Sequence, residues 1–259
     1  MKRFRITFKF ILHYLFAKNT SGFGVHSPYM FHFTKYVLNN KSSYYIFSSI
    51  EKIRLILKED KRILDVSEFG TGNKQKKTVA EITKKSVKSA KYGQLLYRLS
   101  DYIKARNTLE LGTSVGLTTS YLAASSSAIR CVSLEGCTQV AEIAIRNFEE
   151  LSIKNAQIVL GNIDLTLPEV LNEFNQLDLI FIDANHTSGA VLNYFEQCLA
   201  KVHKNSVLVV DDIYWSADME KAWKKIKEHP QVMTTIDLFE LGIVFFNSDL
   251  HKKHYKMRF

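Results

Sequence analysis

The sequence predicts an α/β protein: a doubly wound sheet of seven strands, five parallel and two in a closing antiparallel hairpin, behind an N-terminal helical cap. Three observations carry this. After residue 106, short apolar runs alternate five times with amphipathic segments of helical length, the pattern of consecutive βα units and so of a parallel sheet. The last β-rich runs, VMTTIDL and GIVFF, are joined by a short turn through residues 239–242 and suit an antiparallel hairpin. Before residue 106 the alternation is absent and helical periodicity takes its place. The expected division is a basic cap or lid region, 1–105, and a sheet domain, 106–259.

Residues 3–18, FRITFKFILHYLFAKN, place Phe4, Phe8, Ile11, Leu12 and Leu15 at helical spacing, with Lys9 and His13 off that stripe. Such a stripe packs on its own domain or on a second subunit, and the exposed apolar faces expected on the front helices leave a homodimer open. A membrane-surface helix has the same look. Ser27-Pro28 opens a helix over 28–38, because proline at the first turn gives up an N–H that has no intrahelical partner there. Further helices are expected over 46–59 and 92–105, the second with Leu95, Leu96, Leu99, Tyr102 and Ile103 on one face. Residues 60–90 are polar and rich in glycine and lysine, and read as an ordered loop or lid. Within them ILDVSEFGTG looks like a strand and a glycine turn. No acidic strand end follows about 20 residues on, so Gly70 and Gly72 read as loop punctuation. The five parallel strands are expected at 108–111, 129–134, 157–160, 177–182 and 206–210, followed by helices at 116–125, 138–151, 167–175, 187–200 and 215–228.

With 259 residues, 46% hydrophobic and 24% charged, the chain can bury a core without disulfide or metal. Cys131, Cys137 and Cys198 have neither zinc spacing nor an even count, and read as buried small hydrophobes in a reducing compartment. The apolar stretch 8–17 is broken by Lys9 and His13, so no signal peptide is expected. No run of about 18 apolar residues is present, so no membrane span is expected and the cytoplasm is the expected location. Charge is uneven: residues 1–106 carry 22 Lys/Arg against 7 Asp/Glu, and residues 107–259 carry 13 against 19. This fits a cap packed on a complementary domain, and leaves nucleic acid or an anionic membrane as alternatives. Against nucleic acid, the densest basic stretch, Lys74 to Lys91, lacks the interleaved aromatics on which bases stack.

In open α/β sheets ligands bind beyond the carboxyl ends of the strands. The first strand is followed by Glu110-Leu-Gly112-Thr113-Ser114-Val-Gly116, where glycines allow a tight turn and a close backbone approach. Glu135 ends the second strand, 19 residues beyond Gly116, and an acid at that distance suits a pair of ribose hydroxyls. Gly161-Asn162 follows the third strand, Asp183-Ala-Asn185-His186 the fourth, and Asp211-Asp212-Ile213-Tyr214-Trp215 the fifth. The third glycine of the dinucleotide fingerprint is missing, since Leu117-Thr118-Thr119 follows Gly116; this argues against a nicotinamide enzyme.

LELGTSVGLTTSYLA, VSLEG, DLIFIDANH and VLVVDDIYW, in this order and spacing, resemble a Rossmann-like class I S-adenosylmethionine-dependent methyltransferase, nearest to the catechol-type small-molecule O-methyltransferases. The resemblance covers about residues 91–247. FGVHSPYMF also resembles the opening of methyltransferases from Bacteroidetes-type bacteria, which says nothing of a substrate. The resemblance implies a cofactor site with Glu110 and Gly112 around the methionine moiety, Thr113, Ser114 and Gly116 in the same turn, Glu135 on the ribose, Asn162 at the adenine edge, and Asp183 among the cofactor-binding residues. It also implies a Mg²⁺ site on two strand-end aspartates and an adjacent asparagine; here Asp183, Asp211 and, in the asparagine's place, Asp212. Three oxygens suit a hard cation that would orient a substrate hydroxyl. The alternative is that Asp211 or Asp212 caps a helix and Asp183 bonds the cofactor or a loop amide. His186 stands at the offset where the catechol-type enzymes carry a lysine base, and an imidazole titrates in the right range for that task; capping the next helix is its other reading.

The expected activity is therefore methyl transfer from S-adenosylmethionine to a small-molecule hydroxyl, with Asp183 and His186 as catalytic residues. The runner-up is an RNA or protein methyltransferase using the basic front half. A third reading is a non-catalytic cofactor-binding or membrane-surface module.

Overall fold

The computed structural model describes residues 2–67, 74–85 and 87–259. In chain order the helices and strands are α1 (Lys2–Phe16), α2 (Pro28–Phe33), α3 (Tyr45–Glu59), β1 (Ile63–Ser67), β2 (Lys74–Thr78), α4 (Val79–Lys85), α5 (Ala90–Tyr102), β3 (Asn107–Leu111), α6 (Leu117–Ala123), β4 (Arg130–Glu135) and α7 (Thr138–Glu150). They continue with β5 (Ala156–Leu160), α8 (Ile163–Asn172), β6 (Leu177–Ile182), α9 (Ser188–Leu199), β7 (Val202–Asp211), α10 (Ala217–Glu228), β8 (Thr234–Asp237), β9 (Leu241–Phe245) and β10 (Lys253–Lys256). The chain forms two compact units, Lys41–Asn175 and Met1–Asn40 with Gln176–Phe259.

In the unit Lys41–Asn175, β3, β4 and β5 are parallel and adjacent in that order, with Leu111 opposite Leu134 and Glu135 opposite Leu160. The strands are near-continuous apolar runs because helices cover parallel strands on both faces. A core of Phe47, Ile50, Tyr97, Leu117, Tyr121 and Val140 joins the helices. Tyr121, wholly buried, donates its hydroxyl to Glu51 at 2.8 Å.

The described residues of 60–90 are not the loop the sequence suggests. β1 and β2 pair antiparallel, Ile63 opposite Thr78, and α4 follows. The polar run KQKKT gives no alternation to read; its strand exists because ILDVS pairs with it. Thr78 and Glu81 close the helix start reciprocally: the Thr78 N–H donates to Glu81 Oε2 at 2.9 Å and the Glu81 N–H to Thr78 Oγ1 at 3.2 Å. Gly70 and Gly72 lie outside the described residues.

In the other unit the strand order is β10-β8-β9-β7-β6. β6 and β7 are parallel, β9 is antiparallel to β7 and β8, and β10 is parallel to β8. The expected hairpin is therefore present as β8 and β9. Beside the β1–β2 pair, the three parallel strands β3–β5 of one unit and the five strands of the other exceed the seven expected by one, β10. Its sequence, KHYK, buries Tyr255 and exposes Lys253 and His254, too short a pattern to mark a strand on its own. Gly242 lies under the Trp223 ring, where a Cβ would come within 2.6 Å.

Of the two packings expected of α1, the structure does not show the one on its own chain for most of the apolar stripe. Phe8, Ile11 and Leu15 are 54%, 50% and 63% exposed, while His13 is buried. The polar side is the docked side. Arg5 Nη1 reaches Glu220 Oε1 at 2.8 Å and Lys9 pairs with the other oxygen of the same carboxylate. The His13 ring bonds the Met257 carbonyl at 2.9 Å. An apolar stripe reads as a buried face only when no stronger partner claims the polar one; here Glu220 claims it. Helix α2 begins as expected, with the Met30 N–H donating to Ser27 Oγ at 3.4 Å and Pro28 in the first turn. All three cysteines are free and buried. Among the described residues no helix is long and apolar enough to cross a membrane.

Candidate functional site

Within Lys41–Asn175, the ends of β3, β4 and β5 carry the first group of residues. After Leu111 the chain turns through Gly112 at φ 103°, and the N–H groups of Gly112 and Thr113 donate to the Leu134 carbonyl at 3.0 and 3.2 Å. The turn closes at Gly116, φ 76°, whose N–H donates to the Thr113 carbonyl at 3.0 Å. A Cβ there would meet Ala144 Cβ at 2.7 Å, so α6 can start this close to α7 only from glycine.

Glu135 is fixed against this turn. Its Oε2 accepts the Ser114 N–H at 2.8 Å and its Oε1 the Cys137 N–H at 2.9 Å. Burial pushes its carboxyl up, and the backbone N–H groups of Cys137, Ser114 and Gly136 oppose that shift. A carboxylate has about four acceptor sites, so it keeps room for a further donor such as a ribose hydroxyl.

Glu110 and Thr113 stand deeper. Glu110 is wholly buried; its Oε2 accepts from Ser133 Oγ at 2.6 Å and from Thr119 Oγ1. Burial pushes its carboxyl up to about 8. Thr113 Oγ1 shares a 2.6 Å hydrogen bond with Ser133 Oγ. These two side chains brace the turn from behind. Asn162 caps α8, its Oδ1 accepting the Asp164 N–H at 3.0 Å. No local signal in the sequence marks Ser133 or Thr119 as part of this site. Ser133 is opposite Glu110 in the parallel register, a pairing that no local spacing reveals.

The other unit carries the second group. Asp183 follows β6 and Asp211 ends β7, adjacent parallel strands with Ile182 opposite Val210. Asp183, His186 and Asp211 each offer a ligand atom within 4.8 Å of the others, and His186 Nε2 lies 3.7 Å from Asp183 Oδ1. Asp212 is not in this group: its backbone is left-handed at φ 52°, and its carbonyl accepts the Trp215 N–H at 2.9 Å. Neither aspartate side chain fills the capping role for α10; Ser216 does, accepting the Met219 N–H at 3.0 Å. Thr187, not His186, caps α9.

The aromatic residues near these ends are mostly structural. Tyr214 donates to Asp237 at 2.5 Å and stacks on Phe239, while Trp215 is 46% exposed. Tyr29 packs edge-on to Phe245, and His32 on Tyr36. A pocket of about 320 Å³ in this unit is lined by Lys9, Leu12, His13, Tyr214, Phe239 and Lys256, and contains none of the strand-end carboxylates.

Residues 109–213 match the family described as a methyltransferase domain. The catechol O-methyltransferase of Mycobacterium tuberculosis is 32% identical over 127 residues, 48% of this chain and 56% of that protein. The catechol O-methyltransferase of Niastella koreensis is 30% identical over 128 residues, 48% of this chain and 57% of that protein. The matched part thus spans little more than half the length of these relatives. Among solved structures, an O-methyltransferase from Bacillus cereus in complex with SAH shares the fold at a TM-score of 0.58, with 22% identity, 82% of this chain and 96% of that one covered. The fold is the Rossmann-like α/β fold expected from the alternating strands and helices.

Proposed function

We propose that this chain, with its methyltransferase domain, transfers a methyl group from S-adenosylmethionine to a hydroxyl of a small molecule. The observation that carries the reading is Glu135, held by the N–H groups of Ser114 and Cys137 against a turn that needs Gly116. An acid so placed accepts the two ribose hydroxyls of a nucleoside. The relatives' names, both catechol O-methyltransferases, support a small hydroxylated acceptor.

The residues fit S-adenosylmethionine, which when bound supplies an electrophilic methyl group on sulfur. Gly112 and Gly116 bring backbone close to it, Glu135 anchors the ribose, and Glu110 and Thr113 keep the turn rigid. We read Asn162, at the end of β5, as lining the adenine side. Methyl transfer is an in-line displacement, so most of the catalytic effect comes from holding the acceptor in line. The acceptor hydroxyl must also lose its proton. Asp183, His186 and Asp211 are the grouped side chains available for that task.

Of the three aspartates expected to hold Mg²⁺, Asp183 and Asp211 are grouped and Asp212 is outside the group. Two carboxylates would hold Mg²⁺ with water at its other positions.

Calorimetric titration of S-adenosylhomocysteine into the purified chain tests the proposal. Saturable one-to-one binding is expected. No binding of either S-adenosylhomocysteine or S-adenosylmethionine sinks it.

A further inference from the structure

We propose that the outward side of helix α1 binds the surface of an anionic lipid bilayer. The surface is independent of the methyl-transfer reading, and its test needs neither cofactor nor acceptor.

Helix α1 turns an apolar side to solvent. Phe8, Phe10, Ile11, Tyr14 and Leu15 each leave about half or more of their surface exposed. At about 100° per residue they fill an arc of about 160° on one side of the helix. Between Thr7 and Phe16 that arc holds no charged residue, because Lys9 and His13 fall on the opposite side. Phe16, at the last position of the helix, is exposed as well. Soluble proteins rarely leave so many large apolar side chains together in water, and such a patch marks a surface that something covers.

The arc is held outward. Glu220 takes both Arg5 and Lys9, and His13 bonds the Met257 carbonyl, all on the side away from it. Rolling the helix to bury the arc would break these contacts.

Charge decides between the occupants. Residues 1–40 carry six Lys/Arg and no Asp/Glu, and residues 251–259 carry four and none. The two segments meet at α1: Arg258 Nε donates to the Tyr14 carbonyl at 2.8 Å, and its guanidinium lies 4.2 Å from the Tyr14 ring centroid. Lys18 and Arg258 are exposed near that end of the helix. A second copy docked about a two-fold axis would set this patch, and its cations, against themselves. Anionic lipid meets both features at once. The apolar side chains enter the boundary of headgroups and acyl chains, and the cations face phosphates. Tyr14 beside Arg258 suits that boundary, with an apolar ring and a polar hydroxyl. At about 1.5 Å per residue the 15 residues of α1 reach about 22 Å, short of the roughly 30 Å of a hydrocarbon core, so the helix would lie in the plane of the surface.

The test is co-sedimentation of the full chain with phosphatidylcholine vesicles that contain or lack phosphatidylglycerol. Wild type is expected to bind the anionic vesicles about tenfold or more tightly than the neutral ones, and to leave them as salt rises. Ile11→Gln with Leu15→Gln, at exposed positions and with a good helix former, should weaken that binding about tenfold or more. Lys18→Glu should weaken it on the anionic vesicles alone. Circular dichroism and thermal melting verify that the variants fold, and sedimentation equilibrium gives the oligomeric state. No binding to anionic vesicles would overturn the proposal, as would equal binding to both kinds, or binding that the double variant keeps. A wild-type dimer that the double variant dissolves, without vesicle binding, would make a second copy the occupant and overturn it too. Vesicle binding without S-adenosylhomocysteine binding would keep this surface and sink the methyl-transfer reading; the converse would do the opposite.

Discussion

Ser133 on β4 stands directly opposite Glu110 on β3, and its hydroxyl donates to the Glu110 carboxyl at 2.6 Å in a fully buried position. Two hydroxyls, from Ser133 and Thr119, point at one carboxyl oxygen. The group is a neutral acid in the folded protein over much of the physiological range, because burial raises it to about 8 from its ordinary 4.5.

A pH dependence of stability follows from that shift. Between pH 4.5 and 8 the unfolded chain ionises Glu110 while the folded chain keeps the proton. The unfolded state then binds fewer protons, so stability falls as pH rises across this window and levels off above it. The contribution is full below 4.5 and is lost as pH passes the folded value, a change of at most about 5 kcal/mol. Urea unfolding from pH 5 to 9 is expected to flatten in Glu110→Gln, which cannot ionise. A wild-type slope that survives this substitution contradicts the assignment.

Glu135→Ala should abolish ribose recognition and leave two backbone N–H groups, of Ser114 and Cys137, without their carboxylate. Hydrogen bonds to a charged group contribute about 1.5–3 kcal/mol each, so S-adenosylhomocysteine affinity should fall roughly 100-fold or more. Glu135→Asp, shorter by one methylene, should lose less. Equal affinity in wild type and Glu135→Ala would remove Glu135 from the cofactor site.

Gly116→Ala places a Cβ at 2.7 Å from Ala144 Cβ, in a left-handed conformation with φ 76°. Strain of that kind and overpacking each cost about 1–3 kcal/mol. Chemical denaturation should show a loss in that range, accompanied by weaker cofactor binding, since the turn must open to fit the methyl group. A variant as stable as wild type argues that α6 shifts freely against α7.

Glu220 holds two cations of α1 at once. Its ion pairs are partly exposed, so Glu220→Ala should change global stability by no more than about 1 kcal/mol. Its local effect should be larger. Arg5 and Lys9 lie N-terminal to the contacts of His13 with Met257 and of Tyr14 with Arg258, so limited trypsin digestion should cut near them several times faster in the variant. Identical cleavage rates would place the anchoring of α1 elsewhere, at His13 and Met257.

The strands and the residues at their ends were legible because a strand's apolar run and the glycine that ends it are local signals. LELGTSVG, VSLEG and DLIFIDANH could be placed on β3, β4 and β6 from spacing alone, and Glu135 does meet the glycine turn. The TVAE run at Thr78–Glu81 is equally local, a helix-start signature set inside a lysine-rich stretch. What tertiary structure decided has partners far away in the chain. Helix α1 faces as it does because Glu220, more than 200 residues on, binds Arg5 and Lys9. KHYK becomes β10 only because β8 offers an edge to pair with. Asp211 and Asp212 are neighbours with the same side chain, and only the backbone at the end of β7 separates them: Asp211 closes the strand among Asp183 and His186, while Asp212 turns left-handed out of that group. Local periodicity sets which residues reach a strand end; the dihedral angles of the turn beyond it, fixed by contacts with distant segments, set which of them converge.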